Sequence, residues 1–182
     1  MLNYIKALFI MLNAHRGQKD KGGKPYFFHP LRVSRKLLDE KTKIVALLHD
    51  VLEDSDKYKI DNFNFLDAEQ KEALNLLTHS KDEDYFSYIE KIYKNNLARK
   101  VKIMDLEDNM NLNRLKVISS KDKERYKKYI KARNMLIKAS WRKLAAFLLE
   151  ETKIEDLIII LFSIITKILS VGFVAWDRKS VV

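Results

Sequence analysis

Apolar residues recur at helical spacing along most of this chain. Ile5, Leu8, Phe9 and Leu12 mark one face of a segment from about 3 to 15. A polar stretch from Gly17 to Pro25 interrupts it, and Pro30 then suits the first turn of a helix running to about Leu38. The next helix is expected over 41–54. Its stretch Ile44-Val-Ala-Leu-Leu48 is continuously apolar, as in an element buried on most sides. Asp67 and Gln70 form a capping pair before a helix over 68–78, and another helix is expected over 84–94. Leu97, Val101 and Met104 form one stripe of a helix from about 97 to 112. Ser120 is positioned to cap a helix carrying Tyr126, Tyr129, Ile130, Arg133 and Ile137. No stretch reads as a strand. The pattern predicts an all-α helical bundle over 1–138 and a helical extension over 139–182.

Composition supports that reading. Only 4 glycines and 2 prolines occur in 182 residues, and three of the glycines fall between 17 and 25. Scarce breakers leave helices uninterrupted, while a clustered set marks a loop with a demanding backbone shape. Hydrophobic residues at 47% and charged residues at 33% describe a folded domain. The absence of cysteine excludes disulfides, thiolate metal sites and cysteine nucleophiles. The net charge of +10 comes from lysines spread along the chain, which reads first as a solvated surface. Neither zinc-finger spacing nor an RNA-binding aromatic signature accompanies it, so no nucleic-acid partner is expected.

The ends differ. The N-terminal apolar run lacks a basic leader and a small-residue cleavage site, which suggests a cytoplasmic chain. Residues 157–176 are almost wholly apolar, with Lys167 as the one charge. That length suits a bilayer span, a helix packed on the domain or a dimer contact, and membrane association through it stays open.

Three segments concentrate chemistry. They are Pro25-Tyr-Phe-Phe-His29-Pro30, Ala46-Leu-Leu-His49-Asp50-Val-Leu-Glu53-Asp54 and Val101-Lys-Ile-Met-Asp105-Leu-Glu-Asp108-Asn109. His49 and Asp50 follow directly on a buried run, where a charge is costly unless paired or bound to a metal. Glu53 and Asp54 lie one turn further on, so one helix end gathers an imidazole and three carboxylates. Asp105 adjoins the apolar stripe, with Asp108 and Asn109 one turn later. Two imidazoles and two carboxylates make a mixed nitrogen and oxygen set, suited to Mn, Fe, Zn or Co.

At these residues the chain resembles the HD-domain phosphohydrolases, and within them the hydrolase half of RelA/SpoT-type alarmone enzymes and their small stand-alone relatives. The resemblance covers about 3–138. It runs through Ala14-His-Arg-Gly-Gln18, Gly23-Lys-Pro-Tyr26, His29-Pro30, Leu47-Leu-His-Asp50, Glu53-Asp54 and Val101-Lys-Ile-Met-Asp105 to Asn109. It implies one divalent metal, usually Mn, on His29, His49, Asp50 and Asp105. Glu53 and Asp54 match the pair that handles the attacking water, Asn109 a position near the substrate sugar, and Lys21 a basic residue of the substrate loop. The implied reaction is 3′-pyrophosphate removal from guanosine tetra- or pentaphosphate. Lys19, Lys21 and Lys24 would neutralise phosphate charge, or would simply be solvated. His15 is expected to pack or to support the site, and Asp108 either to support it or to lie on the surface. No nucleotide-synthesis domain is expected to follow. Asp20 stands where an arginine packing on guanine is common, Leu106 where an arginine follows the last metal aspartate, and Ser55 where threonine is usual. Those departures keep two alternatives in view: another nucleotide or phosphate ester as substrate, or a catalytically inactive HD module used for binding or sensing.

Overall fold

The computed structural model describes residues 2–80 and 82–151, the stretch from 139 to 151 as backbone only. The chain divides into two compact units, Met1–Ala139 and Ser140–Val182. The apolar segment 157–176 lies outside the described residues. Among the described residues, no helix is long and apolar enough to cross a membrane.

Eight helices are described: α1 (Leu2–Ala14), α2 (Phe28–Arg35), α3 (Glu40–Leu48), α4 (Val51–Asp54), α5 (Ala68–Leu77), α6 (Tyr85–Lys94), α7 (Asn96–Asn109) and α8 (Ser120–Glu151). Short 3-10 turns occur at Ile60–Asn62 and Leu112–Arg114. The only pairing of strand type among the described residues is an isolated bridge between Lys19 and Pro25. The all-α expectation therefore holds.

α3 is the centre of the first unit. It packs against α1, α2, α5 and α7, so Ile44, Val45, Ala46, Leu47 and Leu48 are all buried. Burying each of the larger side chains contributes about 1.5–3 kcal/mol. α7 is the second hub, touching α2, α3, α5 and α6. Side-chain caps fix where the helices begin. The Asp39 carboxylate accepts from the Thr42 amide at 2.8 Å, and Asp67 and Gln70 form the reciprocal box that their spacing implies. The Asp84 and Asn95 side-chain oxygens cap α6 and α7 by accepting amides of the first turn. At the buried end of α5, Tyr88 donates its hydroxyl to the Leu77 carbonyl at 2.6 Å.

Two sequence expectations need correction. The single helix over 41–54 is two elements, α3 and α4, with His49 and Asp50 between them. The Ala46 carbonyl, which a continuous helix would offer to the amide of Asp50, is engaged by His49 Nδ1 at 2.8 Å. The junction sets the His49 and Asp50 side chains side by side. Ser119, not Ser120, caps α8: its hydroxyl accepts from the Asp122 amide, and the Asp122 carboxylate accepts from the Ser119 amide.

Candidate metal centre and adjoining cavities

The site forms where the first turn of α2, the α3–α4 junction and the C-terminal half of α7 converge. α2 supplies His29, the junction supplies His49 and Asp50, and α7 supplies Asp105, Asp108 and Asn109. His29, His49 and Asp105 are buried, and one ligand-type atom from each lies within 4.8 Å of the other two. His29 Nε2 is 3.1 Å from Asp105 Oδ1. Asp50 Oδ2 stands 3.2 Å from His49 Nε2 and 3.6 Å from His29 Nε2.

Each imidazole is oriented through its other nitrogen. His49 Nδ1 donates to the Ala46 carbonyl, so the neutral ring presents a lone pair at Nε2. That Nε2 is buried without a hydrogen-bond partner. His29 Nδ1 donates to Asp108 Oδ2 at 2.8 Å. Asp108 is itself gripped by Arg32 through two bonds of 2.9 Å, and Arg114 lies 3.4 Å from the same oxygen. Tyr26 donates its hydroxyl to Asp50 Oδ2 at 2.6 Å. Asp105 accepts from Asn109 at 2.6 Å and pairs with Lys102 Nζ at 2.9 Å. Such outer partners fix ligand orientation in metal sites.

The electrostatics point the same way. Burial by itself would push His29 down, but hydrogen bonds to Asp105 and Asp108 outweigh it and hold the imidazole up at about 9. His49 is raised by Asp50 and Asp105 against its own burial. Burial would raise Asp105, yet Lys102 and the two histidines hold it well below the usual carboxylate range. Positive charge is thus strongly favoured between these carboxylates. An orphaned buried imidazole nitrogen, two nitrogen donors and adjacent carboxylate oxygens fit a divalent transition metal.

Glu53 and Asp54 follow on α4 at the exposed side of the site. The amide of His79 donates to Glu53 Oε2 at 3.2 Å. Burial first, then the charges of Asp50 and Glu53, push the Asp54 carboxyl up to about 6.

Two cavities adjoin the centre. The first, of about 290 Å³, is lined by the glycine loop (Lys19 to Gly22), His29, Asn109, Arg114 and Arg125 among others. Lys21 and Asn109, both expected near substrate, line it. Lys24 is exposed and not among the lining residues. Its amide, with that of Gly22, donates to Asp20 Oδ1, each at 2.9 Å. Asp20 therefore shapes the loop where the resemblance expects an arginine, while Arg114, from a distant turn, lines the same cavity. The second cavity, of about 160 Å³, is lined by Asp50, Glu53, Tyr85, Lys102, Asp105 and Tyr129 among others.

Sequence reasoning gave Lys102, Arg32, Arg114 and Tyr85 no role. Lys102 was detectable three residues before Asp105 on one helix face. Arg32 lies at the same spacing after His29 on α2, while Arg114 and Tyr85 reach the site only through tertiary packing. His15, expected to pack, is fully buried. Its Nδ1 meets Gln18 at 2.8 Å, and its ring packs 4.9 Å from that of Tyr26.

No family model matches the chain. It is 54% identical over 46 residues to a guanosine-3′,5′-bis(diphosphate) 3′-pyrophosphohydrolase of Aquifex aeolicus, covering 23% of this chain and 7% of the relative. The protein of the same name from Borreliella burgdorferi is 44% identical over 68 residues, covering 35% and 10%. A GTP pyrophosphokinase rsh of Brucella melitensis is 48% identical over 54 residues, covering 28% and 7%. The matched region thus spans a tenth or less of these relatives' length. Among solved structures, a metazoan ortholog of SpoT described as hydrolysing ppGpp shares the fold with a TM-score of 0.62. It is 22% identical, over 75% of this chain and 85% of that one. The chain thus shares its helical fold with that SpoT ortholog and short stretches of sequence with the named pyrophosphohydrolases and the rsh protein.

Proposed function

We propose that this chain is a metal-dependent phosphohydrolase that removes pyrophosphate from the 3′ position of guanosine tetra- or pentaphosphate. One observation carries the reading above all. His49 Nε2 is buried without a hydrogen bond, 3.2 Å from Asp50 Oδ2 and 3.7 Å from Asp105 Oδ1, beside two cavities lined by cations and phenols. The pyrophosphohydrolase names of the matched relatives and the ppGpp-hydrolysing fold neighbour support the substrate.

His29, His49, Asp50 and Asp105 would hold the metal, with Mn(II) as the expected ion. A metal bound there would supply a Lewis acid and lower the pKa of water toward neutrality. The chain's own groups do the rest. Glu53, anchored by the His79 amide, and Asp54 orient the attacking water, and Asp54 accepts its proton. A carboxyl raised to about 6 suits proton transfer near neutral pH. Lys21 and Asn109 bind the nucleotide from the first cavity, and Arg114 adds a planar cation that can pair with phosphate. Tyr26 holds Asp50 in place by its 2.6 Å hydrogen bond.

Purified chain incubated with Mn(II) and guanosine tetraphosphate is the direct test. Pyrophosphate release should require the metal, stop on chelation and be lost with His49→Ala combined with Asp50→Ala. Activity that survives both treatments would defeat the mechanism. Turnover of a different nucleotide in its place would keep the mechanism and replace the substrate.

A further inference from the structure

The second cavity holds groups that the metal centre does not use. Its volume of about 160 Å³ is room for about five water molecules. It shares Tyr26, Asn109 and Tyr129 with the first cavity, but Lys102 and Tyr85 are its own. The Lys102 side chain is only 14% exposed and makes one ion pair, at 2.9 Å to Asp105 Oδ2. Its ammonium also lies 5.3 Å from the Tyr88 ring centroid. An ammonium has three donors, so pairing with Asp105 leaves capacity toward the cavity. The Tyr85 hydroxyl is buried with no hydrogen-bond partner. Leaving such a group unmatched is unfavourable, and it calls for an explanation.

An ammonium and an unmatched hydroxyl in one small polar cavity suit a tetrahedral oxyanion. The same cavity is lined by Asp50, Glu53 and Asp105, whose charges would repel that anion. A divalent cation on the histidine cluster would neutralise them, so anion binding here should be linked to metal binding. We propose that this cavity is a phosphoryl subsite in which Lys102 and Tyr85 hold the departing diphosphate, an assignment that rests on the phosphohydrolase reading above. Tyr85 would then be kept as tyrosine for its ligand and not for stability.

The experiment is isothermal titration of the Mn(II)-loaded full chain with inorganic orthophosphate, for the unmodified protein and Tyr85→Phe. This substitution removes only an oxygen that makes no hydrogen bond to the protein. The expected result is phosphate affinity weakened about tenfold, with Mn(II) affinity unchanged and the thermal midpoint unchanged or higher. Lys102→Met should abolish phosphate binding, and Lys102→Arg should restore part of it. If the unmodified chain binds no phosphate, or Tyr85→Phe binds it equally well, the subsite is wrong. The outcome separates from the substrate reading. Tyr85-dependent phosphate binding without guanosine tetraphosphate turnover would sink the substrate alone. Turnover with Tyr85-independent phosphate binding would sink the subsite alone.

Discussion

Asp108 Oδ2 lies 2.8 Å from His29 Nδ1, and this contact turns Nε2 of the same ring toward Asp105 and Asp50. Two residues with 78 positions between them are thereby locked across the α2–α7 contact. Arg32, one turn after His29 on α2, closes the arrangement with two bonds to the same carboxylate. The His29 imidazole is therefore held by its own helix and by the facing one.

The first prediction follows from that contact. Asp108→Asn leaves the shape of the side chain nearly unchanged but removes its charge and replaces one of the two oxygens shared by His29 and Arg32 with a donor NH2. Mn(II) affinity measured by titration calorimetry should fall about 10–100-fold, the usual effect of losing such a support. An unchanged affinity would show that His29 is placed by packing alone.

Gly22 offers a test of the first cavity. A Cβ there would meet the Arg114 carbonyl oxygen at 2.6 Å, which is backbone and cannot rotate away. Gly22→Ala should push the glycine loop off the 112–114 turn and widen the cavity. Its expected signature is a KM for nucleotide raised about tenfold, equivalent to about 1.4 kcal/mol, with Mn(II) affinity unchanged. Unaltered KM would place nucleotide binding away from this loop.

The helix caps predict a pH dependence of stability. The Thr42 amide holds Asp39 below its usual value, and the Lys41 ammonium, then the Gln70 amide, do the same for Asp67. A carboxyl depressed in the folded state stabilises above its unfolded pKa, and that contribution is lost as pH falls through the folded value. Asparagine also caps helices but does not titrate. Denaturant midpoints of the unmodified chain and of Asp39→Asn with Asp67→Asn should therefore differ at pH 7 and converge below about pH 4. A constant gap would mean that the carboxylate charge is not what matters.

Much of this was readable in the linear chain because it depends on local physics. The apolar run at 44–48, the Asp67–Gln70 box and the helices over about 68–78 and 84–94 all rest on contacts within a few residues. Asp105 was legible as a buried acid because it adjoins a helical apolar stripe. The break at His49–Asp50 was not legible, since it depends on a side chain engaging a carbonyl that periodicity assigns to the backbone. Arg114 and Tyr85 were missed because only the packing of distant segments brings them to the site, and Arg32, although one turn from His29 on α2, acts through Asp108 on the facing helix. Asp20 looked like a lost arginine in the sequence. In three dimensions it shapes the glycine loop by accepting two amides, while Arg114 brings a guanidinium to the same cavity.

Metal stoichiometry tests the account most directly. Full-length chain equilibrated with Mn(II) and desalted should retain one ion per chain by elemental analysis, with an electron paramagnetic resonance spectrum distinct from free Mn(II). His49→Ala and Asp105→Ala should each reduce retention to near zero while the helical circular dichroism persists. Failure of the unmodified chain to hold any of Mn(II), Fe(II), Co(II) or Zn(II), or full retention by both variants, would contradict the account.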